Sequence, residues 1–136
     1  MLVFEPYPGT RVVAVPGAID GLVAAFPSAL RFADDEAFIP GIRPEQLMGG
    51  AGTTGGLAAD EHAIVEPDAG WSATSCSWAE FEAVVAPYLE WALPTDRPAI
   101  AQGLLAAVPV KLVVTADGVA IVTQTAYARD LAGRLR

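Results

Sequence analysis

The sequence predicts an α+β domain, a mainly antiparallel sheet packed against two to four helices. Three observations carry that prediction. Residues Val108 to Gln124 form two β-branched, apolar runs around Asp117-Gly118, which reads as a β-hairpin. Thr125 to Arg136 follows with apolar residues at helical spacing, so a short amphipathic helix closes the chain. Ser77-Trp78-Ala79-Glu80 fits a capping box, in which hydroxyl and carboxylate satisfy amides at a helix start. A chain of 136 residues is long enough to bury a core, and the expectation is one domain spanning 1–136.

Each element follows from local chemistry. Leu2 to Phe4 is a short strand candidate ahead of the turn Pro6-Tyr7-Pro8-Gly9. Thr10 to Val15 is a second strand, stopped by Pro16-Gly17. Ala18 to Phe26 is helical by the spacing of Ile19, Leu22, Val23 and Phe26, and Pro27 ends it. Ala29–Ala33 and Ala37–Ile39 flank Asp34-Asp35-Glu36 as a hairpin with an acidic tip. Residues 40–60 are Gly-rich and read as a long loop inside the domain, with one helical turn at Pro44 to Met48. His62–Glu66 and Trp71–Ser75 are further short strands.

The helix from Ser77 turns Trp78, Phe81, Val84, Val85, Tyr88 and Leu89 to one face. Pro87 leaves the Ala83 carbonyl without a donor, so a kink or break is expected there, with Pro94 ending the element. Asp96 reads as the cap of another helix, with Ile100, Leu104 and Ala107 inward. In the closing hairpin, a type I′ turn at Asp117-Gly118 sets Val114 opposite Ile121 and Ala116 opposite Val119. Lys111 and Gln124 then share the wetter face with Val113 and Val122. The last helix turns Ala128, Leu131 and Leu135 inward, with Arg134 and Arg136 at its C-terminal dipole.

Composition narrows the function classes. Apolar residues make up 53 %, with alanine the largest contributor, yet no run approaches the ~18 residues of a membrane span. The N-terminus has no basic segment ahead of an apolar one, and a single cysteine rules out an intrachain disulfide. The expected setting is cytoplasmic, and arginine over lysine with abundant Ala, Gly and Val points to a bacterium. The net charge is −8, with fourteen acids against four arginines in residues 1–107. Such a surface repels phosphate backbones, which argues against nucleic acid and favours a protein partner, a basic one most readily.

Few residues offer chemistry. His62 is the lone histidine and Cys76 the lone cysteine. They form a thiol-site candidate, with Asp60 or Glu61 to orient the imidazole and a helix start to lower the thiol pKa. Against it, a single cysteine is usually a small buried apolar residue. On a strand His62 and Glu66 would lie about 13 Å apart, too far to share an ion. Asp34-Asp35-Glu36 lacks the spacing of a calcium loop. No metal site and no cofactor are therefore expected.

Gly49, Gly50, Gly52, Thr53, Thr54, Gly55 and Gly56 suggest a phosphate cradle, but no Lys-Ser/Thr follows and the dinucleotide spacing matches only once. They read better as a flexible loop that folds on a ligand or partner. Trp91 lies off the inward helical face, which makes it an interface-anchor candidate beside the acidic contact set Asp34, Asp35 and Glu36.

No catalytic set is assembled, and an enzymatic activity is the less favoured expectation. The leading reading is a small acidic protein-interaction module: an immunity or antitoxin protein, a secretion chaperone, or a small assembly subunit. The alternatives are a small-molecule-binding protein or small enzyme with a pocket between sheet and helices, and a structural homo-oligomer built through a sheet edge or the wetter hairpin face.

Overall fold

The computed structural model describes residues 2–48 and 60–135, and within them two antiparallel sheets and four helices make an α+β fold. In chain order the first elements are β1 (Glu5–Pro6), β2 (Gly9–Val13), α1 (Pro16–Ala25), β3 (Leu30–Ala33), β4 (Glu36–Pro40), α2 (Pro44–Met48) and β5 (Ile64–Asp68). There follow β6 (Trp71–Ser77), α3 (Trp78–Glu80), β7 (Ala99–Leu105), β8 (Val108–Val114), β9 (Gly118–Gln124) and α4 (Thr125–Arg134). By contacts the chain divides into two compact units, Met1–Tyr7 with Gly70–Arg136 and the inserted Pro8–Ala69.

The inserted unit carries a four-stranded sheet in the order β3-β4-β2-β5. Pro16 enters α1 in its first turn, where no amide partner is lost. The Val15 amide instead donates to Asp60 Oδ2 at 2.9 Å. Ile19 and Leu22 of α1 join Val12, Ala37, Ile39 and Leu47 in one buried cluster. The helix stops at Phe26, whose amide still bonds the Leu22 carbonyl, because Pro27 follows. The expected hairpin with an acidic tip is present as β3–β4.

The larger unit carries a five-stranded sheet in the order β1-β6-β9-β8-β7. The N-terminal strand is Glu5–Pro6, just after the Leu2–Phe4 expected, and it pairs with Ser72 and Ala73 of β6. Leu105, Val110, Leu112, Val114, Val119 and Ile121 fill one face of the sheet, together with Phe81 and Val85 after α3 and Leu131 and Leu135 at the chain end. The Ser77 capping box forms as predicted, with Ser77 Oγ accepting from the Glu80 amide at 3.1 Å and Glu80 Oε1 from the Ser77 amide at 3.0 Å. The helix breaks where Pro87 removes a donor. It widens to a π turn over Phe81–Val85, closed by the Ala86 amide on the Phe81 carbonyl, and tightens to a 3-10 turn over Ala86–Tyr88. It therefore ends well before Pro94.

Two expectations are corrected here. Ile100 to Ala107 is not a helix capped by Asp96; Ala99–Leu105 is strand β7, paired along its whole length with β8. The connection is a two-residue turn in which Ala106 and Ala107 have φ of 49° and 68°, the signature of type I′. Arg134 Nη1 of α4 donates to the Ala106 carbonyl at 2.7 Å and so braces this turn.

The second correction concerns the closing hairpin, where Val114 pairs with Val119 rather than Ile121. Its turn is Thr115 to Gly118, with Thr115 Oγ1 accepting from the Asp117 and Gly118 amides at 3.2 Å each. Gly118 is needed for closeness rather than for positive φ, since a Cβ there would sit 2.1 Å from the Cys76 carbonyl oxygen. A shift of two keeps every side chain on its expected face.

Candidate functional site

Along β8 the side chains alternate between the buried face and an outer face turned away from Phe81, Val85 and Leu131, whereas on β9 the outward-facing Val122 is buried as well. The outer face bears a hollow of about 370 Å³ lined by Trp71, Gln102, Leu104, Pro109, Lys111 and Gln124, among others. Strand pairing brings these residues together from four strands. Gln102 lies opposite Lys111 and Leu104 opposite Pro109 across β7–β8, while Trp71 lies opposite Gln124 across β6–β9.

Among the described residues of this lining Lys111 is the one that carries a charge. Its Nζ donates to Gln102 Oε1 at 2.6 Å and stands 5.6 Å from the Trp71 ring centre, within reach of a cation–π attraction. Leu104 is 57 % exposed beside it. The lining thus combines an ammonium, amides, an indole and aliphatic surface. A second hollow of about 330 Å³ lies toward Ser75, Val113 and Asp117. Within the inserted unit a third, of about 280 Å³, is bordered by Pro8, Ile42, Arg43 and Asp68.

The residues singled out in the sequence fall in several places. Asp34 and Asp35 form the exposed tip of the β3–β4 hairpin, and their carbonyls accept from Arg31 Nη2 at 2.9 Å and the Ala14 amide at 3.0 Å. Glu36, the first residue of β4, is half-buried, and its carboxylate accepts from Arg11 Nε at 3.1 Å. Arg11 also reaches Glu66 at 2.8 Å, so one guanidinium ties three strands, and these two carboxylates hold its pKa above the usual arginine value. Trp91 is half-buried against the larger unit's core; its ring fills the space over Gly103, and its Nε1 donates to the Leu104 carbonyl at 2.7 Å. Gly49, Gly50, Gly52, Thr53, Thr54, Gly55 and Gly56 lie outside the described residues.

Cys76 is buried in β6, and His62 is an exposed residue of the inserted unit, in the turn before β5. Burial, and secondarily the Glu80 charge, push the Cys76 thiol pKa up, the reverse of the lowering expected from a helix start. Asp60 works beside His62 as a backbone clamp, accepting from the Val15 and His62 amides at 2.9 and 3.0 Å, and both bonds hold its pKa low. Among the described residues no group of three or more His, Cys, Asp or Glu is arranged to hold a metal ion. Among them, too, no helix is long and apolar enough to cross a membrane.

Sequence reasoning placed Lys111 and Gln124 on one face but missed Trp71, Gln102 and Leu104 as their neighbours. The signal for the last two was the alternation Ile100-Gln102-Leu104, hidden by its overlap with helical spacing.

No protein-family profile matches the chain, and no curated protein matches it. Among solved structures it is similar to a chain of heterotetrameric sarcosine oxidase from Corynebacterium sp. U-96, in complex with pyrrole 2-carboxylate. The TM-score is 0.74 at 17 % identity, over 99 % of this chain and 80 % of that one. At that identity the likeness is one of fold. It corrects the expectation of an immunity, antitoxin or chaperone module, because it places this fold in a chain of a multi-subunit enzyme.

Proposed function

We propose that the chain is a small subunit of a multi-subunit enzyme, with an oxidase of the sarcosine oxidase type as the candidate assembly. The observation that carries this reading is the fold likeness to a chain of such a heterotetramer, which spans nearly the whole of this chain. The outer-face hollow supports it, since its aromatic and apolar groups suit recognition of another surface.

The inserted unit, with nine acids against three arginines, adds a preference for a partner surface rich in Lys and Arg. The same acidity argues against a nucleic-acid partner. A bacterial, cytoplasmic setting completes the proposal.

The test is to tag the chain in its own cell, purify it under native conditions and weigh the particle by light scattering. A stoichiometric heteromer that consumes oxygen with sarcosine or a related N-methyl amine supports the proposal. A chain that elutes alone, or only with itself, overturns it.

A further inference from the structure

We infer that the second hollow, beside the Thr115–Gly118 turn, seats an arginine side chain of the partner subunit. Its stem lies on Ala120 and Val113, and its guanidinium meets the Asp117 carboxylate and the Ser75 hydroxyl. The inference rests on the proposed function and names one point at which that assembly docks.

Strand register builds the floor. Ser75 lies opposite Ala120 across β6–β9, and Ala120 opposite Val113 across β8–β9, so the three form one row on the outer face. This row and the turn line the hollow of about 330 Å³. Ala120 and Val113 are half-buried, and Ser75 is exposed. An apolar floor of this kind suits the methylene stem of a long cationic side chain.

The turn supplies the charge. Of the three hollows described above, this one has a carboxylate in its lining and no cation. The Thr115 hydroxyl takes the part an aspartate often plays in a turn, accepting from the Asp117 and Gly118 amides at 3.2 Å each. The Asp117 carboxylate is thereby spared, and among the described residues it has no hydrogen bond or ion pair. Its backbone is nevertheless fixed. The Thr115 amide bonds the Gly118 carbonyl at 2.9 Å, and Trp78 Nε1 donates to the Thr115 and Ala116 carbonyls at 3.1 Å. A carboxylate on a short stem from a fixed backbone has little freedom to lose on binding.

Charge and shape together select arginine. The chain carries −8, so a cationic surface is drawn toward it. A lysine would bring a point charge. A guanidinium brings five donors in a planar fork, enough to pair the carboxylate with two and still reach the Ser75 hydroxyl. A bare cation would leave the Ala120 and Val113 floor wet, whereas an arginine stem covers it.

The experiment uses the full chain in the native heteromer and compares wild type with Asp117→Asn, Asp117→Arg and Ala120→Leu. Glu82→Gln, exposed on the turns that cover the opposite face of the sheet, is the control. Each variant is first melted by circular dichroism. Asp117→Asn and Ala120→Val, the milder changes, stand in should Asp117→Arg or Ala120→Leu not fold. Asp117→Asn should weaken association by about 10-fold and Asp117→Arg by about 100-fold or more, since a covered charge pair loses one member or meets its like. Ala120→Leu, which fills the floor and leaves the charge, should weaken it by at least about 10-fold, and Glu82→Gln by less than about 2-fold.

One Arg→Asp change on the partner should restore binding to Asp117→Arg. Rescue from a partner lysine in place of an arginine would overturn the choice of guanidinium. Folded Asp117 and Ala120 variants that bind within about 2-fold of wild type would overturn this inference and leave the subunit reading standing. A loss confined to the Asp117 variants, with Ala120→Leu at wild-type affinity, would reduce Asp117 to long-range steering and overturn the seat. Failure of the wild-type chain to form a heteromer defeats the proposed function itself, and is seen before any variant is made.

Discussion

The five-stranded sheet of the larger unit is held from within. Its seven-residue strands bury Leu112, Val114, Val119 and Ile121 against Phe81, Val85 and Leu131, and Trp78 Nε1 ties the helix start to the Thr115 and Ala116 carbonyls at 3.1 Å. The four-stranded sheet of the inserted unit has shorter strands and is also laced across its surface by charge, Arg11 joining Glu36 to Glu66 and Arg31 pairing with Asp20. Both sheets hide a glycine where strands meet closely: a Cβ would fall 2.1 Å from a carbonyl oxygen at Gly118 and 2.3 Å at Gly9. The lesson concerns surfaces. A sheet stabilised from one face can leave the other for recognition, and the larger unit has its hollow there. A sheet whose exposed positions carry ion pairs offers a partner its charge instead.

The sharpest way to break the comparison is to attack the inner face. Leu131 is fully buried where α4 meets the larger unit's core. Leu131→Ala should destabilise the protein by about 2–5 kcal/mol in urea melts, from lost transfer energy and an unfilled cavity. A loss below about 1 kcal/mol would mean that α4 is an accessory to that core rather than part of it.

Close approach is the next test, and it treats the two sheets alike. Gly118→Ala and Gly9→Ala should each cost about 1–3 kcal/mol by forcing strands apart. Equal losses would show that both sheets share this constraint. A tolerated Gly118→Ala would mean that the β6–β9 crossing gives way.

One step smaller is Ser77→Ala, which strips one half of the capping box where α3 leaves β6. About 1 kcal/mol should go. Ser77→Asp should recover most of it, since an aspartate oxygen can accept from the same Glu80 amide. Equal losses for both variants would mean that the cap is not what steadies this helix start.

How much of this could be read in advance follows from distance along the chain. The capping box, the β3–β4 hairpin and the two faces of β8 and β9 rest on residues within a few positions of each other, so local pattern is enough. The β7 strand does not. Ile100, Leu104 and Ala107 satisfy a helical period, and its turn uses alanines at φ 49° and 68°, where alanine is disfavoured and gives no signal. Gly118 suggested a turn by its chemistry, while its constraint comes from Cys76, far off in sequence. The hollow fails for the same reason, because Trp71 and Lys111 meet only through the order β6-β9-β8.

Cys76 tests that non-local burial. The folded thiol pKa is raised, so the folded state favours the protonated form. Its contribution to stability is full below the ordinary thiol value of about 8.5 and is lost as pH rises through the folded value. Iodoacetamide should label native Cys76 slowly at pH 7.5 and fast in urea. Cys76→Ser should flatten the alkaline side of the stability profile, and fast native labelling would contradict the burial.

The smallest effect decides whether charge matters to the inserted unit's sheet. Arg11 and its two carboxylates are about a third to a half exposed, so solvent screens them. Arg11→Gln should therefore cost only about 0.2–1 kcal/mol at low ionic strength. The raised Arg11 pKa gives no pH window in the working range, because arginine stays protonated throughout it, so salt is the proper lever. Near 1 M salt, where the Debye length is about 3 Å, the difference between wild type and variant should shrink toward zero. A loss that persists at high salt would instead assign Arg11's role to its hydrogen-bond geometry and aliphatic packing. The inserted unit's sheet would then be held by packing, as the larger unit's is, and the contrast between the two would narrow to their charge.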